Sequence, residues 1–127
     1  MPAIERPYAN YAVVGAGKTG MDACIWLLQN GVDPARIRWI MPRDAWILDR
    51  ASFQPDVENF ERTIGSVIGQ FEAIAEATSI SDLFERLEER GLLLRIDKSV
   101  EPTMYRCAVV SQVELEQLRR IKPAFTG

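Results

Sequence analysis

Apolar positions come in blocks along the chain, and the period within each block predicts its element. Residues 8–14 form an apolar run that predicts a first strand, broken by Gly15. Met21, Cys24, Ile25 and Leu28 then recur at i, i+3, i+4 and i+7, one buried face of a helix that starts without a linker. Asn30-Gly31 stops that helix, with Gly31 as a left-handed cap. Asp33-Pro34 makes a turn. Ile37-Arg38-Trp39-Ile40-Met41 predicts a second strand, ended by Pro42, and Trp46-Ile47-Leu48 a short apolar patch in a loop or short strand. Gln54-Pro55-Asp56 opens a long helix, with Pro55 suited to its first turn. Phe60, Ile64, Val67, Ile68, Phe71, Ile74 and Ala75 give that helix a 3.6-period stripe, in which Gly65 and Gly69 lower the propensity but allow close packing.

A third helix starts at Ser79, with Asp82 in the capping-box position. It is expected to bury Ile80, Leu83, Phe84 and Leu87 and to end at Gly91. Both helical stripes read as core or domain interface. Residues 92–96 predict a third, buried strand and residues 104–110 a fourth. Ser111 with Glu114 forms another capping box, opening a helix through Leu115, Leu118 and Ile121 that ends at Pro123. Residues 1–7 read as an extended lead-in and 122–127 as a frayed tail, around a single domain over 8–121.

The order is therefore βαβ, two helices, β, then β and α. Right-handed crossovers place the first three strands as 3-2-1, with the fourth on the far side of the first. The expected fold is α/β, a Rossmann-like three-layer sandwich with a mostly parallel sheet of order 3-2-1-4. A cofactor would sit over the carboxyl ends of the first two strands.

Composition narrows the chemistry. The 127 residues suffice for one domain with a real core. A net charge of −3 gives no electrostatic reason to expect nucleic acid or an anionic membrane. No apolar run approaches the ~20 residues of a membrane span, and the N-terminus lacks a signal peptide's apolar stretch. A cytoplasmic protein is expected, with Cys24 and Cys107 as buried, reduced thiols. There is no histidine, which excludes Ser-His-Asp and Cys-His sites and argues against zinc.

The glycines carry the candidate chemistry. Gly15, Gly17 and Gly20 match G-x-G-x-x-G between a strand and a helix, the dinucleotide fingerprint in its proper context. Gly15 permits the tight turn, Gly17 the approach of backbone to a pyrophosphate, and Gly20 close helix packing. The helix N-terminus adds unpaired N–H groups and partial positive charge. The cofactor-binding set is thus Gly15, Ala16, Gly17, Lys18, Thr19 and Gly20. The bland alternative is a structural β-turn-α with no ligand. Gly17-Lys18-Thr19 also looks like the end of a P-loop, but that motif needs a glycine where Ala12 stands inside the strand. After the second strand, Arg43 is placed to hold the 2′-phosphate of NADP, whereas Asp33 precedes the strand and lies at its wrong end. NADP is therefore favoured over NAD, unless Arg43 is only a solvated partner of Asp44.

Val13-Val14-Gly15-Ala16-Gly17-Lys18-Thr19-Gly20-Met21-Asp22, with Trp39-Ile40-Met41-Pro42-Arg43, resembles the NAD(P)H-binding domain of FAD/NAD(P)-dependent oxidoreductases, including the flavin-containing monooxygenases. The resemblance is most specific over residues 8–45. It implies that the glycines bind the NAD(P)H pyrophosphate, Arg43 the 2′-phosphate, and that Lys18-Thr19 replace a common Asn-Ser. The family's FAD fingerprint should precede this one by well over a hundred residues, and only fourteen come before Gly15. FAD would have to come from a missing domain or a partner. The resemblance implies a domain, or a truncated form, of a flavin oxidoreductase that orients nicotinamide for hydride transfer to flavin. The alternatives are a stand-alone nucleotide sensor without catalysis, or an interaction domain that binds nothing. A short-chain dehydrogenase fails, because Tyr105 and Tyr8 are followed at Tyr-x-x-x-Lys spacing by Val109 and Ala12. Exposed Trp46 and Phe53, lacking their usual cover, would favour a homodimer.

Overall fold

The computed structural model describes residues 6–53 and 57–125. Strand β1 (Tyr11–Val14) runs into the glycine turn, and α1 (Lys18–Gln29) crosses over to β2 (Ile37–Met41) after a short 3-10 turn at Pro34–Arg36. β1 and β2 pair in parallel, with Tyr11 opposite Ile37 and Val14 opposite Ile40. The local signals for this unit hold. Met21, Cys24, Ile25 and Leu28 are buried, Gly31 takes φ 80° beyond the helix, and the Asp33 carboxylate accepts from the Ala35 N–H.

Strand β3 (Ala45–Asp49) follows at once and leads into a single helical turn, α2 (Arg50–Phe53). A helical hairpin comes next: α3 (Phe60–Glu76) and α4 (Ile80–Glu89). α3 starts at Phe60, after Asn59 in the N-cap position, and the start expected at Gln54-Pro55-Asp56 falls on residues outside those described. The Ser79 hydroxyl accepts from the Asp82 N–H to start α4, and Gly91 follows it at φ 73°. The chain then forms β4 (Leu93–Leu94), β5 (Met104–Val110), α5 (Gln112–Leu118) and β6 (Pro123–Phe125). Both halves of the capping box expected for α5 are present at Ser111 and Glu114.

The expected sandwich of strand order 3-2-1-4 does not form. The strands divide into two small sheets, β1-β2-β6, all parallel, and β4-β3-β5, mixed. The cause is β3, which the sequence offered only as a patch in a loop or short strand. It takes both later strands for itself, β4 antiparallel through Leu48–Leu93 and β5 parallel through Ala45–Met104. Neither therefore flanks β1 or β2. The place beside β2 goes to β6, where Trp39 lies opposite Pro123 in residues that read as a frayed tail. One core serves both sheets, with Met21, Cys24, Trp39 and Met41 packed together with Ile47, Leu94, Val110, Leu115, Leu118 and Ile121. Burial pushes the Cys24 thiol up to about 12, so it stays a protonated core group. Cys107, expected to be buried, is exposed on β5.

α3 is the largest departure. It buries Ser66, Gly69 and Ala73 and leaves Phe60, Ile64, Val67, Ile68, Phe71 and Ile74 in solvent. Its polar side is tied down by ion pairs from Arg62 to Asp49 (3.3 Å), Glu72 to Arg90 (2.5 Å) and Glu76 to Arg86 (3.1 Å). Pairs of this kind contribute about 0–1 kcal/mol each, whereas burying one large apolar side chain contributes about 1.5–3 kcal/mol. The stripe is thus much the larger reservoir of unspent burial. α4 likewise buries no residue fully, and its Ile80 is 76% exposed. Trp46, expected at the surface, is buried and stacks on Phe84, with the Arg95 guanidinium 5.3 Å from its ring centre. Among the described residues no helix is long and apolar enough to cross a membrane.

Candidate functional site

The glycine turn sits at the carboxyl end of β1, stitched to β2 from two sides. The Gly15 N–H donates to the Ile40 carbonyl at 2.9 Å, and Trp39 Nε1 donates to the Gly15 carbonyl at 2.8 Å. Trp39 is fully buried, so its indole holds the turn from below.

Each glycine can be asked what the protein itself requires of it. Gly15 has φ 119°, a conformation closed to residues with a Cβ. A Cβ on Gly20 would lie 2.5 Å from the Gly15 carbonyl oxygen, so α1 can approach the turn only without one. Gly17 is different. It is the N-cap of α1 at φ −81°, ψ 176°, ordinary extended backbone. The nearest heavy atom to a Cβ there would be Arg106 Nη1, at 4.0 Å. Among the described residues, neither the backbone angles nor a close neighbour calls for a glycine at this position.

Around Gly17 the described groups suit an anion. No side chain caps α1, and no acidic residue stands in its first turn, which leaves the partial positive charge of the helix end unmet. Ala16 is buried beneath the turn and Thr19 is exposed at the helix start. Lys18 is less free than the sequence suggests. Its Nζ pairs with Asp22 at 2.7 Å and lies 3.8 Å from Glu114.

The cation that sequence reasoning missed is Arg106, on β5. Its Nε is buried with no hydrogen-bond partner among the described residues, and its Nη2 meets only the Met104 sulfur, at 3.7 Å. An unpartnered buried guanidinium N–H is costly to keep, and a phosphate oxygen is the acceptor it fits best. A signal was available in the sequence: one arginine inside the otherwise uncharged run Met104–Val110.

Arg43 lies in the loop just beyond β2, three residues past Ile40, at the same end of the parallel pair as the glycine turn. It is exposed and makes no ion pair among the described residues, so a pair with Asp44 is not what occupies it. Asp44 turns inward instead, 4% exposed, its Oδ1 accepting from the Ala45 N–H at 2.8 Å while Oδ2 meets no geometric hydrogen-bond partner among the described residues. Burial raises the Asp44 pKa, and the backbone N–H groups of Ala45 and Asp97 only partly counter it. A raised carboxyl pKa contributes stability below the unfolded value and loses it as pH rises through the folded one. Asp44→Asn is therefore expected to raise the melting temperature at neutral pH, where burial penalises the carboxylate. The gain should shrink below the carboxylate range, in melts followed by circular dichroism.

The groups at Gly17 thus suit a phosphate: a helix end without a side-chain cap or first-turn acid, with Arg106 Nη1 close by. The chain is 60% identical over 115 residues to an uncharacterized protein of Mycobacterium bovis and, over the same length, to one of Mycobacterium tuberculosis. The match takes in 88% of this chain and 21% of each relative, so the chain spans about a fifth of their length. No family model and no solved structure matches it.

Proposed function

We propose that this chain is the NAD(P)H-binding part of a flavin-dependent oxidoreductase, with NADP preferred to NAD. The observation that carries the reading is Gly17, where no described neighbour requires a glycine, between a helix end without a side-chain cap and an arginine whose buried Nε has no hydrogen-bond partner among the described residues. Within this reading the α1 N–H groups and Arg106 hold the pyrophosphate, and Arg43 donates bidentate hydrogen bonds to the 2′-phosphate. The nicotinamide supplies the hydride, which passes to a flavin. The share of this chain is to bind and to orient. Relatives several times longer than the chain leave room for a flavin domain within one polypeptide, which favours this reading over a stand-alone sensor. A cytoplasmic setting accords with two free cysteines.

Trp39 is a built-in reporter, since its indole bonds the glycine turn directly. Titration with NADPH and NADH should change tryptophan emission, with NADPH the tighter. Arg43→Ala should weaken NADPH about tenfold, equivalent to about 1.4 kcal/mol, and leave NADH unchanged. Emission that responds to neither nucleotide, with equilibrium dialysis confirming no uptake, would sink the proposal.

A further inference from the structure

The exposed stripe of α3 has a spacing of its own. Phe60, Ile64, Val67, Phe71 and Ile74 are separated by 4, 3, 4 and 3 residues, the a/d repeat of a helix that packs on another helix. All five are between 46% and 69% exposed. The helix packs Ser66, Gly69 and Ala73 inward, with Leu92 close behind Gly69, and the ion pairs to Asp49, Arg86 and Arg90 lie along that inner side, so the stripe faces outward.

We infer that α3 docks on α3 of a second copy, forming an antiparallel two-helix seam about a two-fold axis. The stripe complements itself in that arrangement. Ile64 meets Ile74 of the other helix, and the large Phe71 meets the small Val67, the alternation that lets facing layers interdigitate. The flanking e and g positions are Glu61, Thr63, Ile68, Gln70 and Ala75. With one charge among them, they set no like-charge barrier between identical chains. The area is also sufficient. At about 200 Å² for a fully exposed phenylalanine side chain and less for isoleucine and valine, the stripe with Ile68 offers roughly 600 Å² per copy. That reaches the lower end of specific interfaces, about 600–1,000 Å² per partner, and the upper end of the patch a monomer ordinarily carries. Val57 and Ile80, just before and after α3 in the chain, are also exposed. The inference stands apart from nucleotide binding, because α3 contributes nothing to the glycine turn.

Sedimentation equilibrium of the purified chain, run over the micromolar range, tests it. The expected mass is twice the 14.4 kDa of one chain. Phe71→Glu and Val67→Glu should each give the single-chain mass, with an unchanged far-ultraviolet spectrum. Val113→Glu, at an equally exposed apolar residue on α5, should stay dimeric. A wild-type chain that sediments as a monomer overturns the inference, as does a dimer that survives both α3 substitutions.

Discussion

Gly20→Ala should lower stability by about 2 kcal/mol, although it replaces a poor helix former with the best one. On propensity alone, alanine would add about 1 kcal/mol. Contact decides the sign. The new Cβ would lie 2.5 Å from the Gly15 carbonyl oxygen and 3.2 Å from its carbon. Both atoms are backbone, so no rotamer relieves the overlap. Forced overpacking costs about 1–3 kcal/mol, and moving the Gly15 carbonyl also disturbs its bond from Trp39 Nε1, worth about 1 kcal/mol. The midpoint of thermal unfolding should fall by about 8 °C. Gly65→Ala is the control: a Cβ there meets nothing within 4 Å, and stability should rise by about 1 kcal/mol. If both variants gain, α1 does not approach the turn as closely as described.

Gly17→Asp should do the opposite, stabilising the fold while abolishing nucleotide binding. Aspartate is a favoured N-cap and complements the helix dipole, together worth about 1 kcal/mol. The backbone at 17 accepts it without strain, and Arg106 Nη1 stands where its carboxylate can pair. For a pyrophosphate the same side chain removes close backbone approach and adds a repelling charge. A loss of about 3 kcal/mol, at least a hundredfold in affinity, is expected. Melts and NADPH titration on one preparation read both effects. A more stable protein that still binds NADPH would show that the phosphates lie elsewhere.

The contrast between these two glycines was only half legible in the sequence. The fingerprint said that 15, 17 and 20 belong together, and the caps at Ser79, Ser111 and Glu114 and the left-handed turns at Gly31 and Gly91 could all be read from local chemistry. What failed was everything set by distant partners. Periodicity showed which side of α3 is apolar but not what that side faces. Its orientation is set by Arg86 and Arg90, on the next helix, and by Asp49 on β3. Strand pairing failed for the same reason. A short run such as Ala45–Asp49 gives no hint that it will claim two partners, and its claim is what replaced one sandwich by two sheets. Arg106 was passed over because it sits about ninety residues from the turn it faces.

The pairing of β2 with both β1 and β6 sets the order of assembly. β1 and β2 are joined through α1 and can meet early, whereas Trp39 must wait for Pro123, the most distant strand partner in the described chain. Loop closure over such a span is slow unless the intervening elements fold first and draw its ends together. The α3–α4 hairpin and the β3–β5 pairing do that here. Until β6 arrives, β2 presents an open parallel edge beside an already formed glycine turn. In that interval another strand can take the place of β6, so the hazard in refolding this chain is edge-to-edge association at β2 before β6 pairs.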